Sequence, residues 1–239
     1  MDFHSHILPG IDDGSRSLEE TVAMLRLEAK QGIDVVVATP HFYPDRDKPE
    51  PFLKKRAQAV AALRRERIVQ PGLPKILVGA EVHYFRGISD CDFLHWLAIG
   101  NSGCVMVEMP PAPWPDAYYR ELEQIREKQG LTPIIAHIDR YIRPFRTYGI
   151  PERLAEMPVY VQANGSFFLE KRTSALAMKL LKNGQIHVLG SDCHNLTTRK
   201  PNLGEARSLI RQKLGEEALV QIRKMEREIL LPAARGRTE

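Results

Sequence analysis

Short apolar, β-branched runs recur along the whole chain. VVVAT, CVMVEM, PIIAHI and IHVLG are continuous rather than alternating, the pattern of strands buried on both faces of a parallel sheet. They predict strands over 2–6, 34–39, 75–82, 104–109, 132–138, 159–163 and 186–190. Between them the apolar positions shift to helical spacing. The clearest helix opens at Ser17 with Glu20 three residues on, a capping box, and runs to Gln31 before Gly32 stops it. Further helices are expected near 52–68, 115–129, 172–183, 203–214 and 216–228. Strands alternating with helices imply right-handed βαβ units. The economical closure is one α/β domain over 1–239, a distorted (β/α)7 barrel of the TIM-like kind. A doubly wound open sheet is the alternative, and the absence of G-x-G-x-x-G after the first strand weakens its dinucleotide-binding form. Residues from about 232 to 239, ending AARGRTE, read as a frayed basic tail.

Composition narrows the class without choosing a function. The 239 residues, 43% hydrophobic, exclude a disordered or collagen-like chain. No run approaches a membrane span, and MDFHSH has neither the basic nor the apolar region of a secretory signal. Three cysteines without C-x-x-C suit a reducing cytoplasm. A net charge of +4 permits nucleic-acid binding, yet basic residues alternate with acids, as in RRERIV and RKMERE, the habit of a solvated face.

The eight histidines change the picture. The first strand ends in His4-x-His6, whose period-two spacing puts both rings on one face. Asp12 and Asp13 follow in the next loop. The second strand ends before His41, the third carries Glu81, the fourth Glu108, the fifth His137, and the seventh runs into Asp192 and His194. In an α/β barrel these strand ends converge on one mouth. A lone histidine or carboxylate at a strand end is more often a hydrogen-bonded structural residue, a helix cap or half of an ion pair. Five histidines with four carboxylates at the same end of successive strands are better explained by metal. Nine ligands exceed the needs of one ion and suit two or three, bridged by Glu81. All are N or O donors, which admits Mn, Fe, Zn, Co or Mg. His83, His95 and His187 fall outside the pattern; His83 shares parity with Glu81 and can reach the rim, and His187 is structural.

The motifs HSHILPGIDDGSRSLEET, ATPHFYP, GAEVHY, CVMVEMP, IIAHIDRY and GSDCHN, in this order, resemble the PHP superfamily, named for polymerase and histidinol phosphatase. Within it the chain is most similar to bacterial protein-tyrosine phosphatases of capsule and exopolysaccharide synthesis. The resemblance runs from Asp2 to about Asn202. It implies the PHP barrel fold, three divalent ions, often manganese, and a phosphotyrosine protein substrate, a bacterial tyrosine kinase. It implies the ligand set His4, His6, Asp13, His41, Glu81, Glu108, His137, Asp192 and His194, choosing Asp13 where spacing alone leaves Asp12 open. It also implies that Arg140 and Arg199 bind phosphate, with Asp13 among the catalytic groups. Arg16 stands where the family commonly has lysine, and strand six carries no ligand.

The chemistry expected of such a site is attack on phosphorus by a hydroxide bridging two metals. The arginines would hold equatorial oxygens. A thiol mechanism competes on paper, because Cys193 and Arg199 satisfy Cys-x5-Arg, but HNLTT offers no glycine for a phosphate cradle. Other readings are a histidinol-phosphate or small-ester phosphatase, an exonuclease, and a metal-holding scaffold without activity. An amidohydrolase is disfavoured because Glu108 stands where a carbamylated lysine is common.

Overall fold

The computed structural model describes residues 1–69, 72–111 and 113–230; the expected tail lies outside them. Among the described residues nine short strands form, all in parallel pairs: β1 (Asp2–Ser5), β2 (Val35–Ala38), β3 (His41–Phe42), β4 (Lys75–Val78), β5 (Glu81–His83), β6 (Cys104–Glu108), β7 (Thr132–Ile135), β8 (Tyr160–Asn164) and β9 (Val188–Gly190). Helices α1 (Leu18–Lys30), α2 (Pro49–Val69), α3 (Asp116–Gln129), α4 (Ile150–Ala155), α5 (Gly165–Leu169), α6 (Ser174–Lys182), α7 (Leu203–Leu214) and α8 (Glu216–Leu230) follow the strands. Ser17 caps α1 by accepting the Glu20 N–H, as its sequence predicts.

The strand expected over 75–82 is broken in two, and a short strand that was not expected, β3, follows the one over 34–39. Pro40 has no N–H to donate, so the ladder ends at Ala38 and restarts at His41. Its neighbour breaks beside it at Gly79–Ala80. The result is a three-stranded sheet, β1-β2-β4, and a six-stranded sheet, β3-β5-β6-β7-β8-β9. The sheets stay stitched: Gly79 N–H donates to Ala38 O at 2.9 Å and Glu81 N–H to Pro40 O at 3.0 Å. The sheet curls so that its outer strands meet. His6 N–H donates to Cys193 O at 2.9 Å, and Asp192 N–H to His4 O at 2.8 Å. Gly190 permits this approach, since a Cβ there would lie 2.5 Å from that of His4.

The apolar strand residues divide between two clusters. Val36, Val105, Val107, Ile135 and Leu189 pack with Leu25, Leu122, Leu180 and Ile210 of the helices. Phe3, Val37, Met106, Ile134 and Val188 form a second cluster from the alternate positions. Continuous apolar strands thus fill both faces, while polar side chains collect at the strands' C-terminal ends.

Candidate metal centre

The structure brings all nine expected ligands together. His4 and His6 are fully buried, and their Nε2 atoms lie 3.1 Å apart. Glu81 Oε2 is 3.2 Å from the first and 3.3 Å from the second. Asp192 Oδ1 is 3.7 Å from His4 Nε2 and 3.4 Å from His6 Nε2. Neighbouring donors around a tetrahedral N/O metal site stand about 3.4 Å apart, from bond lengths of about 2.1 Å. His41 presents Nδ1 to Glu81 Oε2 at 2.9 Å and Nε2 to Asp13 Oδ1 at 3.5 Å. His194 Nε2 is 3.4 Å from the same Asp13 oxygen. His137 Nε2 reaches Glu81 Oε1 at 2.7 Å and Glu108 Oε1 at 3.5 Å. Three overlapping donor groups result: His4–His6–Glu81, His41–Glu81–Glu108, and His6–Asp13–His41–His194. Glu81 belongs to two of them, consistent with a bridge.

Residues behind the ligands decide which ring nitrogen faces inward. His6 Nδ1 lies 2.8 Å from Asp12 Oδ2, so a proton placed there leaves the Nε2 lone pair for a cation. Asp12 also accepts the Gly14 and His41 N–H groups at 3.0 Å each. Gly14 must be glycine, because a Cβ would sit 2.2 Å from His6 O. The two aspartates differ in geometry: Asp12 braces His6, and Asp13, 66% exposed at its side chain, faces His41 and His194. Gln162 on β8 is a residue that sequence reasoning passed over. Its Oε1 accepts from His4 Nδ1 at 3.1 Å and from the His137 N–H at 2.6 Å. His194 Nδ1 is satisfied by Asp192 O at 2.9 Å. His137 and Asp192 adopt φ of 30° and 52°, a region side-chain-bearing residues avoid, so strain gathers at two donors.

The buried donors are not satisfied by the protein alone. Glu81 Oε2, His41 Nδ1, His137 Nδ1 and His194 Nε2 have no directed hydrogen bond. His4 Nε2, His6 Nε2, Glu81 Oε2 and Asp192 Oδ1 also face one another, an arrangement that needs positive charge between them. Without metal, protons supply it. Burial opposes charging His6, but Asp12, Asp192 and Glu81 outweigh it and raise its pKa well above the ordinary value. Burial likewise opposes charge on Glu81, and His4, His137 and His41 overcome it, holding its carboxyl well below the usual range. Glu108, against the same penalty, is held at about 2 by His137 and His83. Divalent cations fit this donor set: hard N and O atoms, net negative, oriented from behind.

Both arginines lie at the mouth. Arg140 Nη2 donates to Asp192 Oδ2 at 2.5 Å and Nη1 to Glu108 Oε1 at 3.2 Å. Arg199 Nη2 donates to Asp192 Oδ1 at 2.7 Å. A cavity of about 430 Å³ runs past Arg140, Asp192 and Arg199. Another, of about 800 Å³, is lined by Asp13, His41 and Tyr43. His83 reaches the rim, with Nδ1 3.2 Å from Glu108 Oε2. His187 Nδ1 accepts the Val161 N–H and serves the frame, and His95 is exposed away from the ligands. Cys193 is fully buried, and burial with the charges of Glu28 and Asp2 pushes its thiol well above the ordinary value. A thiolate nucleophile is the species this setting disfavours most.

Residues 1–231 match the family described as "Capsular polysaccharide synthesis, CpsB/CapC". The tyrosine-protein phosphatase CpsB of Streptococcus agalactiae is 28% identical over 233 residues, covering 93% of this chain and 94% of that one. The tyrosine-protein phosphatase YwqE of Bacillus subtilis is 28% identical over 223 residues, covering 91% and 86%. The fold is similar to a chain from the solved structures of YwqE from Bacillus subtilis and CpsB from Streptococcus pneumoniae, described as unique metal-dependent tyrosine phosphatases. That match has a TM-score of 0.81 at 23% identity and covers 95% of this chain and 93% of the other.

Proposed function

The chain belongs to the CpsB/CapC family of capsular polysaccharide synthesis, and from this we propose that it is a metal-dependent protein-tyrosine phosphatase whose substrate is a phosphotyrosine protein, a tyrosine kinase of the polysaccharide system. The observation that carries the reading is the buried convergence of His4 Nε2, His6 Nε2 and Glu81 Oε2, each within 3.3 Å of the other two. The ligand set is His4, His6, Asp13, His41, Glu81, Glu108, His137, Asp192 and His194. It suits three divalent ions, manganese first, with Glu81 between two of the groups. The two sheets are read as one seven-stranded barrel closed between β1 and the segment after β9, forming a single phosphatase unit. The free cysteines Cys91, Cys104 and Cys193 suit a cytoplasmic setting.

Divalent ions bound here would neutralise the phosphoryl dianion and bring the pKa of water toward 7. The chain's own part is to hold and orient. Asp12, Gln162 and Asp192 O aim three imidazoles. Arg140 and Arg199, which now pair with Asp192, have only to turn outward to grip equatorial phosphoryl oxygens with planar, charge-assisted forks. The phenolate leaving group, with a pKa near 10, asks little of a general acid.

The test is hydrolysis of a phosphotyrosyl peptide by chelator-stripped protein reloaded with Mn, Fe, Zn or Mg. Elemental analysis of the protein as purified runs beside it. Metal-dependent release of phosphate, faster than from histidinol phosphate, is expected. Release from histidinol phosphate alone, or release unaffected by stripping, would overturn the proposal.

A further inference from the structure

Three residues beyond Arg140 the chain builds a small, rigid projection. Arg143 and Arg146 exchange backbone hydrogen bonds at 3.1 and 3.0 Å, closing a tight hairpin with Pro144 and Phe145 at its tip. Phe145 is 102% exposed, the most exposed large apolar side chain described, and Tyr148 follows at 46%. Arg143 and Arg146 are exposed, and neither has an ion-pair partner among the described residues. The Arg146 guanidinium instead lies 5.8 Å from the Tyr148 ring centroid. Segment 141–149, YIRPFRTYG, carries no acid. Its root is bolted to the candidate centre: Tyr141 accepts the Met109 N–H at 2.9 Å, its ring lies 5.6 Å from that of His137, and Ile142 is buried.

A phenylalanine held wholly in water has no folding role, and a preformed turn presents it at small entropic cost to a partner. Flanking guanidiniums without carboxylates complement acidic side chains. Phe145 lies five positions after Arg140, so the tip stands within about 18 Å of the Arg140 backbone, the reach of about five extended residues. A lone phenylalanine with two arginines is weak for holding a membrane, where stable anchoring takes more apolar area.

We propose that the 143–148 hairpin is a docking element for the peptide bearing the phosphotyrosine: Phe145 supplies an apolar anchor, and Arg143 and Arg146 take carboxylate side chains within about five residues of the phosphorylated position. This rests on the phosphatase reading above and sharpens it to an acidic peptide context.

The test uses the full chain loaded with metal and three substrates. They are a phosphotyrosyl peptide with Asp and Glu within five positions, the same peptide with Asn and Gln there, and p-nitrophenyl phosphate. The variants are Phe145→Ala and the pair Arg143→Glu with Arg146→Glu. The charge-reversed pair is expected to lose about tenfold in kcat/KM on the acidic peptide, the scale of two or three exposed ion pairs. Rates on the neutral peptide and the small ester should stay within twofold of wild type. Added salt should erase the wild-type preference. Equal rates on both peptides by wild type, or equal losses on all three substrates in the variants, would overturn docking alone. Wild type inactive on every phosphotyrosyl substrate overturns the phosphatase reading as well. Unchanged peptide kinetics with lost binding to anionic vesicles, or with a lost dimer in sedimentation, would assign the hairpin to a membrane or a second copy and overturn the proposal.

Discussion

Asp12 lies 2.8 Å from Nδ1 of His6 and accepts only from donors, its other partners being the Gly14 and His41 N–H groups. Its neighbour Asp13, one bond along the chain, faces the opposite way toward His41 and His194. Adjacent aspartates thus stand differently: the first braces His6, and the second is the one proposed as a ligand.

Asp12→Asn must turn an N–H toward one of these donors. Metal affinity is expected to fall about 10–100-fold, the usual cost of losing a residue that orients a ligating histidine. Calorimetric titration of metal into stripped protein measures it. Activity should return at high metal concentration, and activity lost with metal content unchanged would refute the bracing role. Gln162→Leu should behave alike through His4 and the His137 backbone.

Arg140→Lys and Arg199→Lys keep the charge but lose the planar fork. Each is expected to lower kcat/KM on phosphotyrosyl peptide by about 10–100-fold, one or two charge-assisted bonds' worth. Metal content should remain at the wild-type level. Steady-state kinetics with elemental analysis distinguishes this from damage to the centre.

Cys193→Ser separates thiol from metal chemistry. The side chain is fully buried beside Glu28, with Sγ 4.0 Å from Oε1. The hydroxyl is expected to cost about 1–2 kcal/mol of stability in thermal unfolding. The metal-loaded rate should stay within a few-fold of wild type. Complete loss of turnover with metals retained would sink the metal-dependent reading.

Stripped and loaded protein should respond oppositely to pH. In stripped protein, His137 is raised from 6.5 to about 9, its burial outweighed by Glu108 and Glu81. A pKa raised on folding gives stability fully present below 6.5 and lost as pH rises through about 9. Metal-loaded protein should instead weaken on acidification, as protons compete for the imidazoles. Melting temperatures from pH 6 to 9 with and without chelator check both slopes, and parallel slopes would contradict the picture.

Much of the fold is legible in the sequence. Continuous runs such as CVMVEM mark strands buried on both faces, with the candidate ligands at their ends. What escaped depended on three-dimensional register. Asp12 and Asp13 are equivalent in spacing, and only the turn held open by Gly14 assigns them. Gln162 carries no metal-ligating signature, and its value appears once β8 is set against His4 and His137. The breaks at Pro40 and Gly79 were visible as residues but not as a matched pair across two strands. Helix α4 is short, and its signal was Gly149 ahead of Pro151 in the first turn.

The contact between His6 and Cys193, 187 positions apart, has a bearing on how the protein is made. On the ribosome, His4 and His6 emerge 188 positions ahead of Asp192 and His194, the residues that come to lie beside them. Long-range pairings of this kind form late and slowly. A nascent or truncated chain carries the first histidines but no enclosure, so on the proposed ligand set full metal loading would require synthesis to have passed residue 194.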